Sequence, residues 1–357
     1  MKASLLGRTT AVLALGALTL SACGGGGGDS LTTLTGAGAS SQEAAMTAWT
    51  NGVSEAKDLE VRYSPDGSGA GREAFLAGGA DFAGSDAVMD DEEYESSKEV
   101  CGADGAFHVP AYISPIAVAY NLPGVDKVNM DAETIAKVFK GEIKTWNDPA
   151  IADQNPDADL PDTTITVVHR SDESGTTENF TEYLNATAPD VWSDKAAESW
   201  PVSGQENAQG TSGVVSTVSG TEGAITYADA SAVAESDELG TVSVGVGEEY
   251  VDLSSEAAAT AVEASKTLEG RSDAEMAMEL ERDTTESGAY PIVLVSYHIF
   301  CNEYQDADKA ESAKAFGEYV VSEDGQKAAE EAAGSAPLSE GLRKKAEESI
   351  GGISAAE

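Results

Sequence analysis

The stretch Thr164-Ile165-Thr166-Val167-Val168-His169-Arg170-Ser171-Asp172-Glu173-Ser174-Gly175-Thr176-Thr177 decides how the rest of the chain is read. A β-branched run ends in an arginine, and a turn of small polar residues then opens a helix. Phe180, Tyr183 and Leu184 follow at i, i+3 and i+4 and give that helix one apolar face. A strand that delivers Arg170 to the mouth of a glycine-flanked helix N-terminus is a physical anion trap. Backbone N–H groups point out of the helix end, the helix dipole favours negative charge, and the guanidinium adds a planar donor fork. Taken alone, the same residues read equally well as an ordinary strand–turn–helix connection with Ser174 as N-cap.

The pattern recurs upstream. Thr32 to Gly38 starts as a strand and runs into Gly36-Ala37-Gly38-Ala39-Ser40-Ser41, where Ser40 and Glu43 have capping-box spacing and Ala44, Ala45, Ala48 and Trp49 continue helically. Leu59 to Tyr63 alternates as a strand, meets Asp66-Gly67-Ser68-Gly69-Ala70-Gly71, and leads to a helix through Arg72, Phe75 and Leu76. Asp81-Phe82-Ala83-Gly84-Ser85-Asp86 is a short strand that ends on a carboxylate. Each glycine-flanked hydroxyl is weak evidence alone, because serine caps helices for structural reasons. Ser40, Ser68, and Ser174 with Thr176, taken together with Arg170, point to convergence on one oxyanion.

Further along, Phe107 to Tyr120 is a long apolar strand broken by two prolines, and Tyr290 to Tyr297 is a second long strand. Both are candidate crossings between domains. Asp131 opens a helix carrying Ile135, Val138 and Phe139, which Gly141 ends. Alanine-rich helices are expected from Glu256 to Glu281. The tail from Ala307 to Ser349 is expected to be helical, interrupted by Gly334-Ser335-Ala336-Pro337. Strands alternating with helices make this an α/β chain.

Residues 1–22 read as an export leader: Lys2 and Arg8, then an apolar run from Ala11 to Leu20 that is too short to span a bilayer. Leu20-Ser21-Ala22-Cys23 resembles the lipobox of bacterial lipoproteins, which implies cleavage before Cys23 and diacylation of that cysteine. Residues 24–30 then form a glycine-rich tether. The expected location is the outer face of the cytoplasmic membrane, anchored through Cys23. With that thiol assigned to lipid, Cys101 and Cys301 remain as an even pair in an oxidising compartment, and a disulfide between them is expected. The chain carries 63 acidic residues against 21 basic ones, a formal net charge of −42. Such a surface repels nucleic acid and anionic lipid. Its opposition to a small anion is limited, because exposed charges are screened beyond about 8 Å at physiological salt while a partly buried arginine acts at contact range.

Nearly end to end, the mature chain resembles PstS, the periplasmic or lipoprotein phosphate-binding component of phosphate-specific ABC importers. The resemblance rests on Thr35 to Ser40, Gly67 to Gly71, Asp81 to Asp86, Gly141 to Pro149, Gly223 to Tyr227 and, most specifically, Arg170 to Thr177. It implies an α/β, two-lobed, periplasmic-binding-protein-like (type II) fold. Lobe I would be residues 31–113 plus 291–357 and lobe II residues 114–290, with the two long strands as hinge and the ligand in the cleft. It further implies that Ser40 and Ser68 donate hydroxyls to phosphate and that Ser41 donates its backbone N–H. Arg170, Ser174, Gly175 and Thr176 would complete the shell, with Asp172 holding the Arg170 fork. The implied partners are inorganic phosphate and the permease subunits of an ABC transporter, and the implied state is a monomer. One departure is visible: relatives usually follow the first serine with Phe-Pro, where this chain has Ser41-Gln42.

Asp86 argues for phosphate on physical grounds. A carboxylate in an anion site costs repulsion, and it is useful only against a ligand that carries a proton, because an ionised carboxylate is acceptor-only. Phosphate carries one at neutral pH and sulfate does not, so Asp86 is expected to reject sulfate. Two rivals remain: a secreted phosphate-ester hydrolase, and a binding protein for another oxyanion such as phosphonate or sulfate. The first needs an activated nucleophile and usually metals. No G-x-S-x-G elbow occurs, nor a P-loop, and His108, His169 and His298 lack metal-ligand spacing. No cofactor, metal or catalytic residue is expected. The acidic run from Asp90 to Glu95 reads as a solvated face.

Overall fold

The computed structural model describes residues 31–125, 127–263, 265–268 and 271–356. The leader, Cys23 and the tether lie outside the described residues. The described residues from Leu31 onward form one compact unit.

The sheet is built from strands whose carboxyl ends carry the motifs named above. They are β1 (Leu34–Gly38), β2 (Val61–Ser64), β3 (Phe82–Ser85), β4 (Ala106–Tyr120), β5 (Thr166–Arg170), β6 (Glu206–Ala208), β7 (Ala224–Asp229), β8 (Gly240–Val246) and β9 (Val293–Cys301). Their order is β2-β1-β3-β9-β4-β7-β5-β6, and β8 pairs with the end of β4. β1 is parallel to β2 and β3, and β5 is parallel to β6 and β7. Between these parallel blocks, β9 and β4 run antiparallel. Parallel strands need crossover helices, and the chain supplies them: α1 (Glu43–Lys57), α2 (Ser68–Leu76), α3 (Asp91–Cys101), α4 (Ala132–Lys140), α5 (Gly175–Thr187) and α6 (Gly210–Ser219). After α7 (Ser255–Glu263) and β9, the tail forms α8 (Ala307–Val321), α9 (Glu323–Ala333) and α10 (Glu340–Gly351).

β4 ties the two halves of the sheet together. Residues 106–115 pair with β9, and Ile116 to Tyr120 pair with β7. A central strand normally excludes proline, which donates no ladder hydrogen bond. Here Pro115 stands where β4 changes partner. Pro110 adjoins a bulge, at which Tyr112 pairs with Ser296 while Pro110 pairs with Tyr297. The bulge leaves Ala111 as the extra residue and re-aims the side chains beside it. Fully buried aromatic side chains fill both halves: Trp49, Phe82 and Phe107 in one, and Trp146, Phe139, Phe180, Tyr183 and Trp192 in the other.

Cys101 and Cys301 form the expected disulfide, joining the end of α3 to the end of β9. Two local expectations fail. Ser40 and Glu43 make no capping box: Ser40 to Gln42 form a 3-10 turn before α1, and the Ser40 hydroxyl is used elsewhere. The alanine-rich stretch from Glu256 to Glu281 is helical only through α7. Short paired strands follow at Lys266–Thr267 and Met278–Glu279. Tertiary bonds override helix propensity there. The Arg271 guanidinium donates to the Met89 carbonyl at 2.6 Å, Glu275 contacts His108 Nδ1 at 3.0 Å, and the Met276 N–H donates to the His108 carbonyl at 3.1 Å.

Candidate functional site

The carboxyl ends of β1, β2, β3, β5 and β6 open on one cleft, the position where parallel α/β sheets present helix N-termini to ligands. Asp86 follows β3 and is only 4% exposed. Three hydroxyls converge on its carboxylate. Ser41 donates within 2.8 Å of Oδ1 and 2.6 Å of Oδ2, Ser296 donates to Oδ1 at 2.6 Å, and Thr176 donates to Oδ2 at 3.0 Å. Its main chain is fixed as well: the N–H donates to Ser68 Oγ at 3.2 Å, and the carbonyl accepts the Asn179 amide at 2.7 Å. Burial pushes the Asp86 carboxyl above its ordinary range. Ser296, Ser41, Thr176 and the positive charge of Arg170 oppose that rise in part.

Arg170 ends β5 and is 3% exposed. Its Nε donates to Asp172 Oδ1 at 2.8 Å, a second nitrogen bonds Asp172 Oδ2, and Nη1 reaches Thr211 Oγ1 at 3.5 Å. Burial works against the Asp172 charge. The Arg170 guanidinium and the Gly210 N–H outweigh it and hold Asp172 below the usual carboxylate range. The Asp172 carboxylate thus holds the fork in one orientation. Ser40 lies opposite: its Oγ accepts the Thr211 N–H at 3.0 Å and sits 3.0 Å from Thr211 Oγ1. Ser174 N-caps α5 by accepting the Thr177 N–H at 3.3 Å.

The two walls touch. A Cβ at Gly175 would stand 2.7 Å from the Ala87 nitrogen and 2.8 Å from Ser68 Oγ. Gly67, at φ +111°, faces the Asp172 carboxylate just as closely. Beside the cleft, Arg72 of α2 is buried between Glu93 at 2.9 Å and Glu198 at 2.8 Å. Glu93 therefore does more than lie on a solvated face. Glu178, one turn into α5, has its carboxyl pushed up to about 7, first by burial and then by Glu198.

The structure brings Ser41, Ser68, Asp86 and Thr176 into one group and Ser40, Arg170 and Asp172 into an adjoining one, with Ser174 and Gly175 at the helix mouth between walls. Among the described residues no group of His, Cys, Asp and Glu could hold a metal ion. The three histidines are spent on packing. His108 sits between Glu275 and the Met89 N–H, His169 stacks on Trp200, and His298 lies in an aromatic cage where burial lowers its pKa to about 3. A buried cation, convergent hydroxyls and helix-end N–H groups can hold an oxyanion, and the carboxylate can accept a hydrogen bond from a proton that the oxyanion carries.

Residues 25–324 match the PBP superfamily domain model. Over 373 aligned residues the chain is 33% identical to phosphate-binding protein PstS 2 of Mycobacterium tuberculosis, an alignment covering 99% of this chain and 100% of that relative. The chain belongs to the PstS family. It is also 36% identical over 341 residues to phosphate-binding protein PstS 3 of the same organism, covering 88% and 90% of the two chains. Among solved structures, it superposes with TM-score 0.71 on a high-affinity periplasmic phosphate-binding protein, PfluDING, bound with phosphate. That match has 22% identity and covers 88% of this chain and 92% of the other. A putative phosphate ABC transporter substrate-binding protein from Clostridium perfringens matches with TM-score 0.62 at 18% identity, covering 86% and 100%. Both likenesses establish the periplasmic-binding-protein-like fold.

In this PstS chain, sequence reasoning passed over Thr211, Ser296 and Asn179. Thr211 had a signal: Gly210-Thr211-Ser212-Gly213 is a further glycine-flanked hydroxyl pair at a helix N-terminus. Ser296 and Asn179 had none, since each reaches Asp86 only through the topology.

Proposed function

We propose that this chain binds inorganic phosphate outside the cytoplasmic membrane and delivers it to an ABC importer, without catalysing a reaction. The observation that carries this reading is the pairing of Arg170, locked by Asp172, with the buried carboxylate of Asp86. The cation and the surrounding donors serve an oxyanion, and the carboxylate requires that it bear a proton. Ser40, Ser68, Arg170, Ser174, Gly175 and Thr176 are the proposed ligand shell, with Ser41 and Thr176 contributing their backbone N–H groups because both hydroxyls are committed to Asp86. Residues 31–113 with 291–357, and 114–290, are the proposed lobes. They would close about the β4 and β9 strands, so that binding and closure are one event. The contacts across the cleft, Thr176 to Asp86 and Arg72 to Glu198, support this motion. The importer's permease is the proposed partner of the closed form, with the protein a monomer tethered through acylated Cys23. Among the described residues none of the site hydroxyls is hydrogen-bonded to a histidine that could act as a base, which supports binding over hydrolysis.

Calorimetry of the protein, stripped of any prebound ligand, tests the reading. The expected outcome is saturable, one-to-one heat with phosphate and no phosphate release from an added phosphomonoester. Turnover of the ester, or no heat with phosphate, would contradict it.

A further inference from the structure

Ser41 has a use of its own side chain. Its hydroxyl lies within hydrogen-bond distance of both Asp86 oxygens, at 2.8 and 2.6 Å, and Ser41 is 2% exposed. Ser296 is orientationally fixed. Its Oγ accepts from Gln42 Nε2 at 2.8 Å, so its single proton is free to point at Asp86 Oδ1. Gln42 is itself held by the Tyr297 carbonyl at 3.0 Å. Thr176 adds a third hydroxyl proton from the opposite wall. An ionised carboxylate offers about four acceptor positions, and each hydroxyl brings one proton. Three protons on about four positions leave one position for a proton carried by the ligand.

We propose that the Ser41 hydroxyl sets the number of protons the bound phosphate must carry, by filling one acceptor position on Asp86 and so favouring the dibasic over the monobasic ion. This inference rests on the phosphate-binding reading above. A dibasic ion has one P–OH, which the remaining position satisfies. A monobasic ion has two, and the second meets no acceptor on Asp86, a buried donor left unpaired. Deleting the Ser41 hydroxyl frees one acceptor position. The variant complex then holds one proton more, whether on phosphate or on Asp86.

The charged and titratable groups facing Asp86 are Arg170 on β5, Tyr63 on β2, Tyr112 on β4 and Asp229 at the end of β7. Burial lifts both tyrosines well above their ordinary range and lifts Asp229 to about 6. These groups are common to wild type and variant, so the comparison between the two isolates the hydroxyl.

The experiment is the affinity of the full chain for inorganic phosphate, by calorimetry in two buffers of different ionisation heat, from about pH 6 to about pH 8.5, a window that spans the second ionisation of a phosphate group. Wild type should hold or gain affinity as pH rises. Ser41→Ala should lose it, with up to about tenfold per pH unit as the limiting slope for one added proton, and the buffer comparison should show proton uptake. Ser41→Thr, which restores a hydroxyl, should return the wild-type profile. Ser296→Ala removes a donor from the same carboxylate and should shift the profile in the same direction if Ser41→Ala does not fold. Parallel pH profiles for wild type, Ser41→Ala and Ser296→Ala would overturn the inference while leaving phosphate binding intact. A wild type that binds no phosphate at any pH would overturn both.

Discussion

Gly175→Ala tests the proposed closure at its tightest point. An alanine Cβ there would lie 2.7 Å from the Ala87 nitrogen, 2.8 Å from Ser68 Oγ and 2.9 Å from the Asp86 carbonyl carbon, against 3.4 Å for ordinary contact. Two of those atoms are backbone, so relief requires the walls to part by about 0.7 Å, a gap that already forfeits a quarter to a half of each dispersion contact across it. The Thr176 to Asp86 bond, now 3.0 Å, stretches beyond useful length with it. Overpacking of this kind costs about 1–3 kcal/mol, which is about 5- to 150-fold in affinity. The open form is spared. Residue 175 is the first residue of α5 and its φ is not in the left-handed region, so alanine is conformationally acceptable and is the better helix former. Calorimetry with phosphate should show the weakened Kd, thermal unfolding without ligand should be unchanged or slightly raised, and X-ray scattering should show reduced compaction on adding phosphate. An affinity within about twofold of wild type would refute the close approach of these walls in the bound state.

Three further outcomes are expected. Asp86→Asn, which turns an acceptor-only group into one that also donates, should weaken discrimination between phosphate and sulfate by about tenfold or more, read as the ratio of their dissociation constants. Glu178 titrates at about 7 in the fold, above its ordinary 4.5, so it lowers stability as pH rises from 4.5 through about 7 and has no effect below that window. Glu178→Gln should therefore match wild type in urea unfolding at acid pH and exceed it by about 1–3 kcal/mol above neutrality. The Cys101–Cys301 bridge closes a loop with a sequence separation of 200, and Cys301→Ser should cost about 2–5 kcal/mol of unfolding free energy.

What was legible in the sequence was local. Each glycine-flanked hydroxyl follows its own strand, so Ser40, Ser68, Asp86 and Arg170 announce themselves within a few residues, and Asp172 reaches the Arg170 side chain two positions away. Partners contributed by distant segments left weaker traces. Ser296 lies inside a wholly apolar run, and only the antiparallel register of β9 with its bulge brings it to Asp86. The Ser40–Glu43 spacing is correct for a capping box, yet Glu43 accepts from Ser212 and Ser40 pairs with Thr211. Contacts across the cleft claimed both side chains. Alanine content likewise marks Glu256 to Glu281 as helix, but the Glu275–His108 and Arg271–Met89 contacts hold that stretch against β4 and the turn before α3 in another conformation.

In the proposed site a locked arginine supplies attraction while a buried carboxylate supplies selectivity. Competition calorimetry of the stripped protein with phosphate and sulfate tests this division of roles most directly. Tight phosphate binding that a large excess of sulfate fails to displace is the expected result. Sulfate binding comparable to that of phosphate would contradict it.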